Sequence, residues 1–301
     1  MKKLFVWLSV LALAVGTLSA CGNGDEKSQE SKSTAESSAE GTAESSAESS
    51  AEATSEASAE DTTTFTVGFD AGFPPYGYRD ESGEYVGFDL DLAAEVCARN
   101  GWELVKQPID WDAKDMELSS GAIDCIWNGF TMNGREDDYT WTEPYVDNSQ
   151  VFAVATESGI TAKADLAGKI VAVQKDSSAL AALNDEENAE NIALRDSFAQ
   201  LIEYADYNTA FMDLEQGAVD AVAIDIGVAQ YQIESREEGA FMMLDGDENK
   251  LATEQYGVGF LLGNEDLRDK VQETLDAMVE DGTFMEIAEK WGLQDSVCLG
   301  K

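Results

Sequence analysis

Four places in the chain put chemistry-bearing residues directly behind apolar runs. They are Asp70 after 65–69, Gly129 after 122–127, Gln174, Ser177 and Ser178 after 170–173, and Asp225 after 218–224. Open α/β sheets bind ligands outside the carboxyl ends of their strands, so these positions are the ones that can meet a small polar molecule. Asp225 can supply a counter-charge to a cation or cap a following helix. Ser177 can cap a helix opening at Ser178, where unpaired N–H groups favour an anion. Arg135 stands among Glu136, Asp137 and Asp138. It can hold a carboxylate through two parallel hydrogen bonds, a geometry lysine does not reproduce, or it can simply be solvated.

Catalysis starts at a disadvantage. The 301 residues include no histidine, which removes the usual general base, the Ser-His-Asp and Cys-His triads and the commonest transition-metal ligand. No metal or cofactor is expected. A formal net charge of −41 repels phosphate-rich partners, which excludes nucleic acid. Cys21, Cys97, Cys125 and Cys298 show no CxxC or other metal-like spacing. Cys97 and Cys125 lie in apolar patterns and read as buried thiols, while a bridge from Cys298 stays open.

The elements that must position these residues occupy only part of the chain. Lys2, Lys3 and the apolar stretch 4–18 read as an export signal over 1–20. Leu18-Ser19-Ala20-Cys21 resembles a lipobox, which implies cleavage before Cys21 and its lipidation. Residues 21–62 are rich in Ser, Ala and Glu with almost no large apolar side chain, so a disordered tether is expected. Beyond it, strands alternate with helices. The pattern predicts strands at 65–69, 104–109, 122–127, 170–173, 202–204 and 218–224, and helices from Asp89 to Gly101, at 116–119, from Ser178 and at 210–216. This grammar restarts near Asp165 and is joined by extended segments near 150–154 and 255–260. It describes an α/β protein of two lobes, 63–151 with 256–301 and 152–255, each a mostly parallel sheet flanked by helices, with two hinge crossovers.

Ordered blocks over 65–293 resemble the polar amino-acid-binding proteins of ABC importers, solute-binding protein family 3, which has a type II periplasmic-binding fold. The blocks are Asp70-Ala71-Gly72-Phe73-Pro74-Pro75-Tyr76, Gly87-Phe88-Asp89-Leu90-Asp91-Leu92, Gly121-Ala122-Ile123-Asp124, Gly129-Phe130-Thr131 with Arg135, Trp141-Thr142-Glu143-Pro144-Tyr145, Gly217-Ala218-Val219-Asp220-Ala221, and Tyr256-Gly257-Val258-Gly259-Phe260. Arg135 matches the family's carboxylate-binding arginine counting back from Pro144, but arrives one residue early counting from Gly129. A one-residue deletion at Met132-Asn133-Gly134 accounts for this, with Gly134 helping the loop tighten.

The resemblance implies a site for a free amino acid. Arg135 with the N–H groups of Thr131 and Ser178 would hold the carboxylate. Asp225, the Gly129 carbonyl and the Thr131 hydroxyl would take the ammonium. Asp70, Phe73, Trp111, Asn128 and Gln174 would surround the side chain, with Trp127 open between that role and core packing. The ligand is then glutamine, histidine, arginine, lysine or cystine, and acidic amino acids are disfavoured because Gln174 brings no second positive charge. Binding closes the lobes, and a permease with its ATPase receives the amino acid. The protein is expected to be a monomer, held to the outer face of the membrane by its lipid alone. The competing classes are a secreted enzyme resembling cyclohexadienyl dehydratase on the same fold and the sensing half of a receptor, the latter disfavoured because no second span precedes Lys301.

Overall fold

The structure is a computed structural model that describes residues 63–301. The expected export signal, Cys21 and the tether lie outside the described residues. In chain order, β1 (Thr64–Phe69) leads into a small antiparallel sheet of β2 (Gly72–Phe73), β3 (Gly77–Arg79) and β4 (Tyr85–Val86). Then come α1 (Phe88–Asn100), β5 (Glu103–Pro108), α2 (Lys114–Ser120), β6 (Cys125–Thr131) and β7 (Tyr139–Trp141). β8 (Val146–Ala155) crosses to β9 (Ile170–Gln174), α3 (Ser178–Asn184), α4 (Ala189–Ser197), β10 (Gln200–Tyr204), α5 (Tyr207–Glu215), β11 (Ala221–Asp225), α6 (Ile226–Glu234) and β12 (Phe241–Met243). β13 (Ala252–Leu261) returns, and α7 (Glu265–Asp281) and α8 (Thr283–Lys290) complete the first lobe.

One sheet path runs β10-β9-β11-β8-β13-β6-β1-β5. The neighbours of β1 and β9 are parallel, as continuous apolar strands covered on both faces should be. The antiparallel steps are the two long crossing strands. β8 pairs with β13 over Val146 to Gln150 and with β11 over Gln150 to Val154, while β13 continues onto β6. Each crossing strand thus belongs half to one lobe and half to the other.

Local chemistry explains most boundaries. α1 buries Leu90, Leu92, Ala93, Val96 and Cys97 and stops at Gly101, which takes the left-handed conformation at φ 69. Two predicted strands start later than the apolar pattern implied, and for the same reason. Gly121-Ala122-Ile123-Asp124 and Gly217-Ala218-Val219-Asp220 are turns ahead of β6 and β11. In each, the aliphatic residue is buried and the aspartate accepts a neighbouring strand's N–H: Thr66 to Asp124 at 2.7 Å and Ile170 to Asp220 at 2.8 Å. The buried Ile123 and Val219 mimic strand residues while serving as plugs.

β6 consequently runs through Thr131, so Gly129 lies within a strand and not beyond one. The β6–β13 register shifts between Gly257 and Gly259, and Gly129 opposite has φ 57. A side chain there would also sit 2.9 Å from the Phe73 ring and 3.0 Å from Tyr256, so glycine is required on both counts. Cys97, Cys125 and Cys298 are unbridged.

Candidate functional site

A narrow hollow, with about 260 Å³ of non-atom space and partly open to solvent, lies between the lobes. Phe73, Trp111, Asn128 and Gly129 form its wall on the first lobe, and Gln174, Ser177, Ser178 and Asp225 its wall on the second. All eight are among the eleven residues the sequence singled out. A larger groove of about 1350 Å³ between Tyr78 and Tyr231 is open to solvent. Its Arg236 is paired with Glu215, while Arg79 Nε donates to the Gly83 carbonyl.

Asp225 ends β11 at the hinge. Its Oδ1 accepts from Asn148 Nδ2 at 2.8 Å, Gln150 Nε2 at 2.6 Å and the Tyr256 hydroxyl at 2.6 Å. Its Oδ2 accepts no hydrogen bond from the described residues. Burial, with the charge of Glu254 next in size, pushes the carboxyl up to about 7. An ammonium placed against Oδ2 would supply the counter-charge this site lacks.

Gly129 is fixed from behind. Its N–H donates to Asp89 Oδ2 at 2.6 Å, which also accepts from the Tyr145 hydroxyl at 2.8 Å. Asp89 is fully buried, and desolvation pushes its carboxyl up to about 7. The sequence pattern read Asp89 only as a helix start; its role behind Gly129 could not be seen without the fold.

The remaining three proposed residues lie one layer out. Thr131 Oγ1 donates to Glu254 Oε1 at 2.9 Å. Asp70 is buried behind the side-chain end of the hollow, where Gln174 of the other lobe donates to its Oδ2 at 2.6 Å, Gly72 N–H donates to its Oδ1, and burial raises its pKa. Arg135 follows the tight turn at Gly134, φ 77, and lines an outer hollow with Ser178 and Glu254. Its Nη1 donates to the Thr131 carbonyl at 3.2 Å and to Ser178 Oγ of the other lobe at 3.1 Å, and its Nε and Nη2 bond nothing among the described residues. That free edge is the one a carboxylate can engage side-on.

Ser177 caps α3, its Oγ accepting from Leu180 N–H at 3.2 Å. Trp127 is fully buried against Tyr145 and belongs to the core, not the hollow. Trp111 stands edge-on to Phe130 with the Lys114 ammonium 5.3 Å above its own ring. Beside it, two ion pairs cross the cleft: Lys175 to Asp112 at 2.6 Å, and the buried Lys114 to Asp176, a residue at φ 56. Neither these pairs nor Glu254 was singled out by the sequence. Among the described residues no cluster of His, Cys, Asp and Glu suited to a metal is present.

Comparison with known proteins follows the same lines. Residues 65–294 match the family model described as "Bacterial extracellular solute-binding proteins, family 3". The L-cystine-binding protein TcyJ of Escherichia coli (strain K12) is 27% identical over 226 residues, covering 73% of this chain and 79% of the relative. ABC transporter arginine-binding protein 1 of the same strain is 26% identical over 225 residues, covering 73% and 86%. A crystal structure of an ABC uptake transporter substrate binding protein from Streptococcus pneumoniae with bound histidine superposes with a TM-score of 0.72 at 33% identity, covering 78% of this chain and 94% of that one. These relatives are binding proteins, not enzymes.

Proposed function

The chain belongs to the bacterial extracellular solute-binding proteins of family 3, and on that footing we propose that it is the extracytoplasmic amino-acid-binding component of an ABC importer. The observation that carries this reading is the hollow walled by both lobes. Asp225 Oδ2 stands unbonded at its hinge end, and the free edge of Arg135 stands beside Ser178, which faces both the inner and the outer hollow. A free amino acid carries an ammonium and a carboxylate at fixed separation, and each end would meet a group now lacking a partner. Residues of both lobes are needed, so binding favours closure by population shift.

The ligand is a polar or basic L-amino acid: glutamine, histidine, arginine, lysine or cystine. Gln174 lines the hollow and donates to Asp70 behind it, and neither adds a positive charge. The relatives named for cystine and arginine, and the structure holding histidine, fall within that class. The chain hands its cargo to a permease driven by a separate ATPase. Lipidation at Cys21, with 22–62 as tether, would hold a monomer at the extracytoplasmic face of the cell membrane; the relatives being binding proteins sets aside the dehydratase alternative.

Thermal-shift screening of the twenty amino acids plus cystine tests this, because a ligand that binds only the folded state raises the melting temperature. One or more of the five named should do so. Arg135→Ala should abolish the shift while the circular dichroism spectrum stays unchanged, and an undiminished shift would show that the carboxylate is held elsewhere.

A further inference from the structure

Behind the hinge end of the hollow, next to Asp225, stands a second carboxylate, Glu254, which lines the outer hollow. Glu254 Oε1 accepts from Asn148 Nδ2 at 2.7 Å and Gln150 Nε2 at 2.6 Å, the same two carboxamides that donate to Asp225 Oδ1. Both amides sit on β8, Glu254 on β13 and Asp225 at the end of β11, so the pair straddles the two crossing strands. Both acids are buried. Acceptors outnumber donors in this cluster. The two NH₂ groups, the Tyr256 hydroxyl and the Thr131 hydroxyl are all spent on Asp225 Oδ1 and Glu254 Oε1. Asp225 Oδ2 and Glu254 Oε2 accept nothing from the described residues, and the buried Asn148 Oδ1 and Gln150 Oε1 have no partner.

No cation offsets the pair from the elements around it. β6 contributes the neutral Thr131 and β13 the Tyr256 phenol. α5 contributes the Tyr207 phenol, and Tyr76, ahead of β3, is also fully buried, with Asp89 of α1 behind it. Arg135 shares the outer hollow with Glu254 but hydrogen-bonds neither carboxylate. The Glu254 carboxylate, sharing its donors with Asp225 in a buried site, disfavours ionisation of Asp225.

We infer that Glu254 is a positioning residue of the ammonium subsite: its buried carboxylate beside Asp225 keeps a proton on Asp225 while the cleft is empty, and that proton leaves when an amino-acid ammonium enters. The carboxyl O–H breaks, its proton passes to solvent, and the ammonium keeps all three of its own and donates into the acceptor surplus. This rests on the binding reading above and adds its coupling to pH. The raised Asp225 carboxyl agrees with it.

The test is titration calorimetry between pH 5.5 and 7.5 with L-arginine or L-glutamine, whichever gives the larger thermal shift; neither titrates in that window. In buffers of different ionisation enthalpy, binding should release up to one proton, and affinity should rise by as much as about tenfold per pH unit below 7. Glu254→Gln keeps the three hydrogen bonds to Oε1 but removes the second charge, and should flatten that slope. A pH-independent wild type, or a variant with an unchanged slope, overturns the proposal. A ligand-free arm separates this from failure of the amino-acid reading. The urea midpoint of the empty protein should fall between pH 5 and 7.5, because a carboxyl raised in the folded state loses its stabilising contribution as pH climbs through its folded pKa. Glu254→Gln should fall less, and equal falls also overturn the proposal.

Discussion

Two regions hold the lobes together, and they do so with opposite electrostatics. At the hinge, Asp225 and Glu254 are two acids, buried, bridged by neutral amides and bonded to no cation among the described residues. At the rim, the residues beside cavity-lining Trp111 and Gln174 are opposite charges that meet across the gap, Asp112 with Lys175 and Lys114 with Asp176. The rim is electrostatically complete without a ligand, and the hinge is not. On the proposed reading the regions have different tasks: rim pairs would bias the lobes toward closure whatever the cleft contains, while the hinge would reward closure only around a cation.

The contrast is broken most directly at Asp225. Asp225→Asn keeps an acceptor for Asn148, Gln150 and Tyr256 but removes the charge facing the hollow. Truncating one partner of a buried charge pair costs roughly 2–5 kcal/mol, so amino-acid affinity should fall about 30-fold to more than 1000-fold by calorimetry. Stability should move the other way. The folded carboxyl is raised to about 7, so its stabilising contribution is full below its unfolded pKa and is lost as pH rises through 7. At pH 8 the asparagine variant escapes that loss and should be more stable than wild type in urea by roughly 1–3 kcal/mol, with the gain disappearing toward pH 4. A variant less stable at pH 8 would mean that Asp225 is a structural residue and the contrast with the rim is lost.

Asp176→Asn sharpens the other side of the comparison. Lys114 is 3% exposed in its side chain and Asp176 about half, so the substitution leaves a buried ammonium without its counter-charge. Asparagine tolerates the left-handed backbone at φ 56, which confines the change to charge. Breaking a fully buried pair costs more, but solvent screening at Asp176 reduces the expected loss to about 1–2 kcal/mol in urea unfolding. Affinity should weaken by no more than about tenfold, since only the closing bias is touched.

What was legible in the sequence, and what was not, divides along the same line. Residues announced by local pattern line the hollow. Asp225 closes an apolar run, Ser177 precedes an apolar helix, and Phe73 and Gly129 sit in blocks with recognisable order. Their strand starts were misjudged where Ile123 and Val219 plug turns, because burial looks the same from a turn as from a strand. Glu254 was missed because it sits among polar neighbours in Ala252-Thr253-Glu254-Gln255, and only the pairing of Asn148 with Glu254 across β8 and β13 brings it beneath the site. The long amphipathic α7, with Val271, Leu275 and Met278 buried, carried a helical period that was left unread. Lys114 and Asp176 lie 62 residues apart and meet across the cleft. Sequence spacing holds no trace of a contact that depends on a rigid-body arrangement.

The remaining rim pair sets the lower bound. Lys175 and Asp112 approach to 2.6 Å, yet their side chains are 57% and 40% exposed, and each holds the other's pKa away from its usual value chiefly through their mutual hydrogen bond. Exposed pairs gain little because water and salt compete for both charges and both side chains lose rotamer freedom. Lys175→Ala should therefore change affinity by less than about twofold at physiological salt, and the difference should vanish as salt is raised. An effect matching that of Asp176→Asn and persisting in high salt would show that exposure does not rank the rim contacts. The closing bias would then have to be assigned to the rim as one network and not to the buried Lys114.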